Sequence, residues 1–445
     1  MTLELWLASE RPTGTGPVVA KKWSWKVVEF PMRLPLCLLC ALLFGDDLVA
    51  ADKGHQEQVA VQAATRIDWV FAVANQSPAE PPADWLPKYE SKEQKYELFV
   101  PAKYNPAKPA PLVLFISPSK QPAGFAQWKS VCEEQGAIFA SPFDAGNDCE
   151  TRQRVRIVLD VLDDVRRQYA IDPDRTYIGG FSGGGRIACA IAFSLPEYFG
   201  GVVPVCAAGE LRDESWLRHR AQGRLSVAHL TGETDFNRGE IERFRGPMLA
   251  DVGVRSKLWT IAGLGHSIPN SKALATAYEW LEEGVKTRQQ FAKDYPASRV
   301  ESEKAFTRAE QADALAAEAK QRAANPRTLY SGLMVYKGIL DRWPDLSAAA
   351  TAKKILLEAE GPNAKTWEAD DIAEQRLFLV SRARRLADYA LGPLPQQYAP
   401  QRQKMAAAAL QLWEMVVQDG QDAQATLDAK TIVPKLQEIA AGKKP

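Results

Sequence analysis

At 445 residues the chain exceeds one ordinary domain, so two globular units are expected. Its 55 basic and 55 acidic residues give a formal charge of +0, which removes the electrostatic basis for a nucleic-acid partner or an anionic membrane surface. With 46% hydrophobic and 25% charged residues, the composition is that of a folded protein rather than a low-complexity or disordered chain.

The N-terminus reads as export apparatus. Met32-Arg33 precedes the apolar run 34–44, and Leu48-Val49-Ala50-Ala51 follows. A positive start, an apolar core and small residues before a cleavage point are the parts of a secretory signal, which predicts a periplasmic or extracellular protein. An amphiphilic N-terminal helix is the competing reading. The run is too short for a stable span, so no membrane segment is expected after cleavage. Residues 1–31, with Lys21, Lys22, Trp23, Trp25 and Lys26, fit poorly ahead of a signal, and Met32 reads as the true start. Lipidation of Cys40 is disfavoured by Leu38-Leu39 before it. Residues 1–51 are therefore assigned to extension and signal, and 52–89 to a linker or N-terminal segment.

From 90 to 286 short β-type runs alternate with helical stretches. Strands are predicted at 96–100, 111–116, 137–140, 175–179, 202–207, 225–231 and 257–262. The stretch 151–170 keeps Val155, Ile157, Val158, Val161, Leu162 and Val165 at helical spacing. Such alternation predicts an α/β domain with a mostly parallel sheet covered on both faces. The continuous apolar run Leu112-Val113-Leu114-Phe115-Ile116 fits burial on both sides.

Beyond 287 no strand is predicted. Helices are expected at about 301–323, 328–342, 346–359, 366–390, 399–418 and 421–441. Asn325-Pro326, Trp343-Pro344, Gly361-Pro362 and the 392–395 loop break them. This gives an all-α domain of helical hairpins over 287–445. The segment from Tyr336 to Pro344 resembles tetratricopeptide-like helix pairs, but its weaker echo at 291–296 does not keep the roughly 34-residue period of such repeats. Helix pairs of this kind point to a protein partner, or to a packing appendage on the first domain.

The chemistry-bearing signal is Gly180-Phe181-Ser182-Gly183-Gly184, entered by a β-type run and left by the helical 186–193. This strand–turn–helix is a nucleophile elbow, in which a cramped turn flanked by glycines lifts a serine hydroxyl above the sheet. The serine needs a base held by a carboxylate, in the chain order Ser, Asp or Glu, His. Of four histidines, His55 precedes the serine, His219 sits in the charged stretch Arg218-His219-Arg220 and reads as a surface residue, and His229 lies inside an apolar strand. His266 follows the last strand and is taken as the base. Asp235, at the end of the preceding strand, is taken as the acid, with Glu233 as the alternative. Two N–H donors are needed for an oxyanion. Gly183 supplies the first, and Ser119 the second in preference to Ser117, because Pro118 has no N–H.

Cys37 and Cys40 fall in the signal. The other four permit Cys132–Cys149 and Cys189–Cys206 disulfides, or four buried thiols. No spacing resembles a zinc site and there is no His-Glu-x-x-His, so no metal is expected.

Residues 96–101, Pro111-Leu112-Val113, Asp172-Pro173-Asp174-Arg175, 180–184, 232–235 and Gly265-His266 together resemble the polyhydroxybutyrate-depolymerase and feruloyl-esterase group of α/β-hydrolases. The resemblance covers under half the chain. It implies ester hydrolysis through an acyl-enzyme, without cofactor, on polyester, feruloyl or acetyl esters. Ser182 would be nucleophile, His266 general base and acid, and Asp235 the orienting acid. The group has His-Gly where this chain has Ser117-Pro118, which puts the oxyanion loop and a depolymerase assignment in doubt. Two alternatives stand beside an exported esterase: a catalytically weak hydrolase scaffold whose helical domain binds a protein, and a peptidase. The peptidase is disfavoured because only the charged stretch 210–224 offers itself as a lid.

Overall fold

Continuous runs of β-branched and aliphatic residues form the centre of the molecule. In the computed structural model, which describes residues 53–86, 88–301, 306–361 and 366–443, all seven residues of Ala110–Ile116 are buried. A strand with no solvent face must be covered on both sides, and helices supply the cover.

The strands are β1 (Gly54–Ala60), β2 (Lys95–Val100), β3 (Ala110–Ile116), β4 (Ile138–Pro142), β5 (Ile171–Phe181), β6 (Gly201–Val205), β7 (Ser226–Gly232) and β8 (Arg255–Ile261). They form one eight-stranded sheet in the order β1-β2-β4-β3-β5-β6-β7-β8. The β1–β2 and β2–β4 pairings are antiparallel, and the rest are parallel. The order reverses between β3 and β5, and β5 ends at Phe181, so the residue that follows emerges at the crevice where α/β sheets bind ligands.

One face is packed by α1 (Phe125–Gln135) and α6 (Ser271–Glu283). Trp128, Tyr278 and Leu281 meet Val113, Phe115, Tyr177 and Val203 in a continuous core. Also flanking the sheet are α2 (Thr151–Gln168), beside β4, and α3 (Gly183–Ser194), beside β5 and β6. Next along the chain come α4 (Ser215–Arg224) and α5 (Gly246–Asp251), the latter entered through a π-helical turn at Ile241–Arg245.

The segment that precedes β2 is built into the fold. β1 is an edge strand, and its mostly exposed, polar sequence hid it from a hydrophobic-pattern reading. After it, three aspartates on α2 hold the chain by its backbone. Asp164 accepts from the Gln62 amide at 2.8 Å, Asp160 from Thr65 at 2.7 Å and Asp163 from Arg66 at 2.7 Å.

The C-terminal region is helical: α7 (Val285–Asp294), α8 (Arg308–Ala323), α9 (Leu329–Arg342), α10 (Ser347–Ala359), α11 (Thr366–Leu391), α12 (Arg402–Asp419) and α13 (Ala423–Ala440). Sequential helices pair as hairpins, α8 with α9, α11 with α12 and α12 with α13. They also seat closely on the α/β part. A Cβ on Gly338 of α9 would lie 2.6 Å from the Trp216 ring of α4, so the glycine permits the close approach. Arg342 at the end of α9 reaches buried Glu197 at 2.8 Å and Asp68 at 3.1 Å. No helix among the described residues is long and apolar enough to cross a membrane. The proposed signal at 32–51 lies outside the described residues.

Candidate active site

The turn from β5 into α3 is sterically demanding. Ser182 sits at φ 53° and ψ −121°, a left-handed φ that a non-glycine residue adopts only under constraint. Its amide donates to the Val205 carbonyl at 2.8 Å, which ties the turn to β6. A Cβ on Gly184 would lie 2.0 Å from the Ile116 carbonyl oxygen, and one on Gly180 would lie 2.5 Å from the Gly184 carbonyl carbon. Both positions therefore require glycine. The Ser182 hydroxyl is thus presented at the start of α3, where free amides and the helix dipole favour negative charge.

Three loops converge on that hydroxyl. His266 Nε2 lies 2.9 Å from Ser182 Oγ, and His266 Nδ1 lies 2.7 Å from Asp235 Oδ1. A carboxylate only accepts, so Nδ1 carries the proton and Nε2 is left as the acceptor for the serine hydroxyl. The imidazole is held between aromatic rings, stacked on Phe236 at 3.9 Å and tilted against Phe181 at 4.9 Å.

Asp235 is 5% exposed, and burial alone would raise its pKa. Hydrogen bonds from His266, the Asn237 amide and Thr231 outweigh that burial and hold the carboxyl below the ordinary carboxylate range. Thr231 Oγ1 donates at 2.7 Å and the Asn237 amide at 3.0 Å. Asn237 is itself gripped by Tyr398 of the C-terminal region, whose hydroxyl donates to Asn237 Oδ1. Glu233, the alternative acid, points elsewhere and accepts from the Gly263 amide at 2.9 Å.

The expected oxyanion donors lie on two segments. Gly183 is the first residue of α3, directly after the serine. The Ser119 amide donates to Ser117 Oγ at 3.1 Å in a local turn. Two residues not singled out from the sequence stand beside this loop. Asn147 donates its amide to the Pro118 carbonyl at 2.9 Å, and Arg154 donates to the Ser117 carbonyl at 3.1 Å and to Asn147 Oδ1 at 3.1 Å. Arg154 is 5% exposed, and burial brings its pKa down to about 10. Asn147 reads in sequence as an ordinary turn residue, and only the folded loop brings it to Gly183.

The other histidines are elsewhere. His55 in β1 faces Glu97 at 2.8 Å. His229 is buried in β7, and burial lowers its pKa to about 4. His219, expected at the surface, is instead covered by α9. It sits 3.2 Å from Ser331 Oγ, and burial together with Arg322 lowers its pKa to about 4.

All four cysteines in the described residues are free thiols, so neither permitted disulfide is formed. The Cys206 thiol faces the Ser267 carbonyl at 3.5 Å, in the loop that carries His266. Burial, with Asp235 adding to it, pushes that thiol up to about 12. Cys206, Asp235 and His266 offer ligand atoms within 4.8 Å of one another. The carboxylate and imidazole are already committed to each other and to Ser182, so the set suits proton transfer better than metal binding.

No family model matches the chain. Over 95 residues it is 32% identical to a poly(3-hydroxybutyrate) depolymerase of Ralstonia pickettii, a stretch that covers 18% of this chain and 19% of that protein. The chain therefore spans about a fifth of the length of that relative. Among solved structures, a thermostable esterase is 21% identical, covering 43% of this chain and 59% of its own, with a TM-score of 0.34. An S-formylglutathione hydrolase from Staphylococcus aureus is 15% identical over 42% and 92%, with a TM-score of 0.35. Esterase 2 of Thermogutta terrifontis, phosphonylated by sarin, is 17% identical over 45% and 91%, with a TM-score of 0.34. With its mostly parallel sheet and its serine elbow, the chain has the α/β-hydrolase fold, resembles a poly(3-hydroxybutyrate) depolymerase over a short segment, and carries an additional helical C-terminal region.

Proposed function

We propose that this chain is an exported serine hydrolase that cleaves carboxylic esters through an acyl-enzyme on Ser182. The observation that carries the reading is the hydrogen-bonded line from Ser182 Oγ to His266 Nε2 and from His266 Nδ1 to Asp235. Such a line delivers a proton from the hydroxyl as it attacks an acyl carbonyl. Ser182 Oγ bonds to the carbonyl carbon while His266 takes its proton. The ester C–O bond then breaks, and the alcohol leaves with that proton. Water repeats the sequence on the acyl-serine, releasing the acid and restoring the hydroxyl. Asp235, kept ionised by its hydrogen bonds, stabilises the imidazolium formed in each half.

The short depolymerase resemblance makes poly(3-hydroxybutyrate) and small acyl esters the first substrates to offer. The protein from Ala51 onward should hydrolyse p-nitrophenyl acetate or butyrate and carry a fluorophosphonate on Ser182 by mass spectrometry. Ser182→Ala should lose both, with activity down by at least ~10⁴-fold. Absence of hydrolysis and of labelling in the parent protein would remove the enzyme reading. Export follows from the Met32 to Ala51 pattern, and a chain started at Met32 should appear outside the cytoplasm as a shortened mature form.

A further inference from the structure

Resting on the esterase reading, the oxyanion site has room for a donor besides the Gly183 and Ser119 amides. Gly183 contributes an amide from the start of α3, and the Ser119 amide donates to Ser117 Oγ. A further donor would add to the stabilisation of the tetrahedral intermediate that this chemistry depends on.

That donor is adjacent. A Cβ placed on Gly183 would lie 1.9 Å from Asn147 Oδ1, 2.7 Å from its Cγ and 3.0 Å from its Nδ2. The Asn147 carboxamide thus fills the space that a side chain after the nucleophile would occupy. The Asn147 backbone is fastened to the opposite wall, donating to the Pro118 carbonyl at 2.9 Å. The side chain therefore stands between the two segments from which this fold draws its oxyanion donors.

Its orientation is determined chemically. Arg154 can only donate, and its Nη1 takes Asn147 Oδ1 at 3.1 Å, so the Nδ2 hydrogens must face away from the guanidinium. Among the described residues no side chain or carbonyl accepts from Nδ2. Arg154 is buried, makes no ion pair among the described residues, and holds the Ser117 carbonyl with its other terminal nitrogen. Burying a guanidinium without a carboxylate is costly, and the cost is explained if negative charge develops nearby during turnover.

We propose that Asn147 Nδ2 is a catalytic oxyanion donor paired with the Gly183 amide, and that Arg154 is the positioning residue that aims it.

Asn147→Asp and Asn147→Ala together separate this role from a structural one. Aspartate keeps an oxygen for Arg154 but adds a negative charge, whereas Asn147→Ala removes the N–H donor without adding one, so a loss shared by both variants reflects the missing donor rather than repulsion. Parent, Asn147→Asp, Asn147→Ala and Ser182→Ala are compared on p-nitrophenyl butyrate, with thermal unfolding recorded for each. A trifluoromethyl ketone serves as a second probe, because Ser182 adds to its carbonyl and leaves a stable oxyanion at the same place.

Both Asn147 variants should melt near the parent and keep KM within about threefold, while kcat falls about 10²–10³-fold and the ketone binds weaker by a similar factor. An Asn147→Ala protein with kcat within threefold of the parent, or with lowered kcat but unchanged ketone affinity, overturns the proposal. If the parent itself shows neither hydrolysis nor fluorophosphonate labelling, the esterase reading falls and this proposal with it. The parent thus tests the first reading, and the Asn147 variants test the second.

Discussion

Asp235 illustrates how a buried carboxylate is kept ionised in the service of a neighbour. Three donors converge on its two oxygens, so Asp235→Asn would keep the shape but let an amide nitrogen face His266 Nδ1 and invert the imidazole tautomer. Asp235→Asn should therefore lower kcat by about 10³–10⁴-fold with KM little changed, read from steady-state hydrolysis of p-nitrophenyl butyrate. Gly184 poses a different constraint at the same turn. Its virtual Cβ falls 2.0 Å from a backbone oxygen of β3, which no rotamer can relieve. Gly184→Ala must push α3 off the sheet, so it should cost about 2–4 kcal/mol in denaturant unfolding and carry Ser182 away from His266.

At the scale of elements, legibility tracked how strongly each pattern depends on burial. The strands around Leu112, Ile178, Val202 and Val227 have buried apolar centres, and the structure lengthens the first two, moves the bounds of the other two by one or two residues and keeps their order. β1 was illegible because Gly54-His55-Gln56-Glu57-Gln58 carries no hydrophobic alternation: an edge strand is held by its ladder to β2 rather than by side-chain burial. The ordered loop carrying Asn147 was equally silent, since its job depends on meeting residues from two other segments. The Ser–Asp–His order was legible because each member follows a strand, and the fold confines such positions to one end of the sheet. The seat of α9 on α4 was invisible for the opposite reason, being a shape match at Gly338 against Trp216 with no motif attached. Gly338→Val should overpack that contact and cost about 1–3 kcal/mol, measured by denaturant unfolding.

For the whole molecule, the buried charge at Glu197 decides whether the helical region stands or falls with the sheet. Glu197 follows α3 and is fully buried, with Arg220 of α4 at 3.2 Å, Arg342 of α9 at 2.8 Å and Gln311 of α8 at 2.9 Å. Arg342 continues to Asp68, which also accepts from Trp343 Nε1 at 2.8 Å. One carboxylate thus binds the N-terminal segment, the α/β layer and the helical hairpins into a single network. Burial would raise the Glu197 pKa, but Arg220 and Arg342 outweigh it and bring the carboxyl down to about 2 from an ordinary 4.5. A depressed carboxylate binds its proton more readily when unfolded. Its stabilisation is therefore complete above about pH 4.5 and is withdrawn as pH falls towards 2. Glu240, paired with Arg186 and Arg245 and also lowered to about 2, adds a second contribution in the same window. Unfolding free energy measured by urea between pH 5 and pH 2.5 should fall steeply, and Glu197→Gln should flatten that slope by the equivalent of one proton. Because the network spans both regions, the parent should lose its sheet and its helical hairpins in one transition in acid. An acid intermediate with the hairpins detached and the sheet intact would show instead that Glu197 does not couple them.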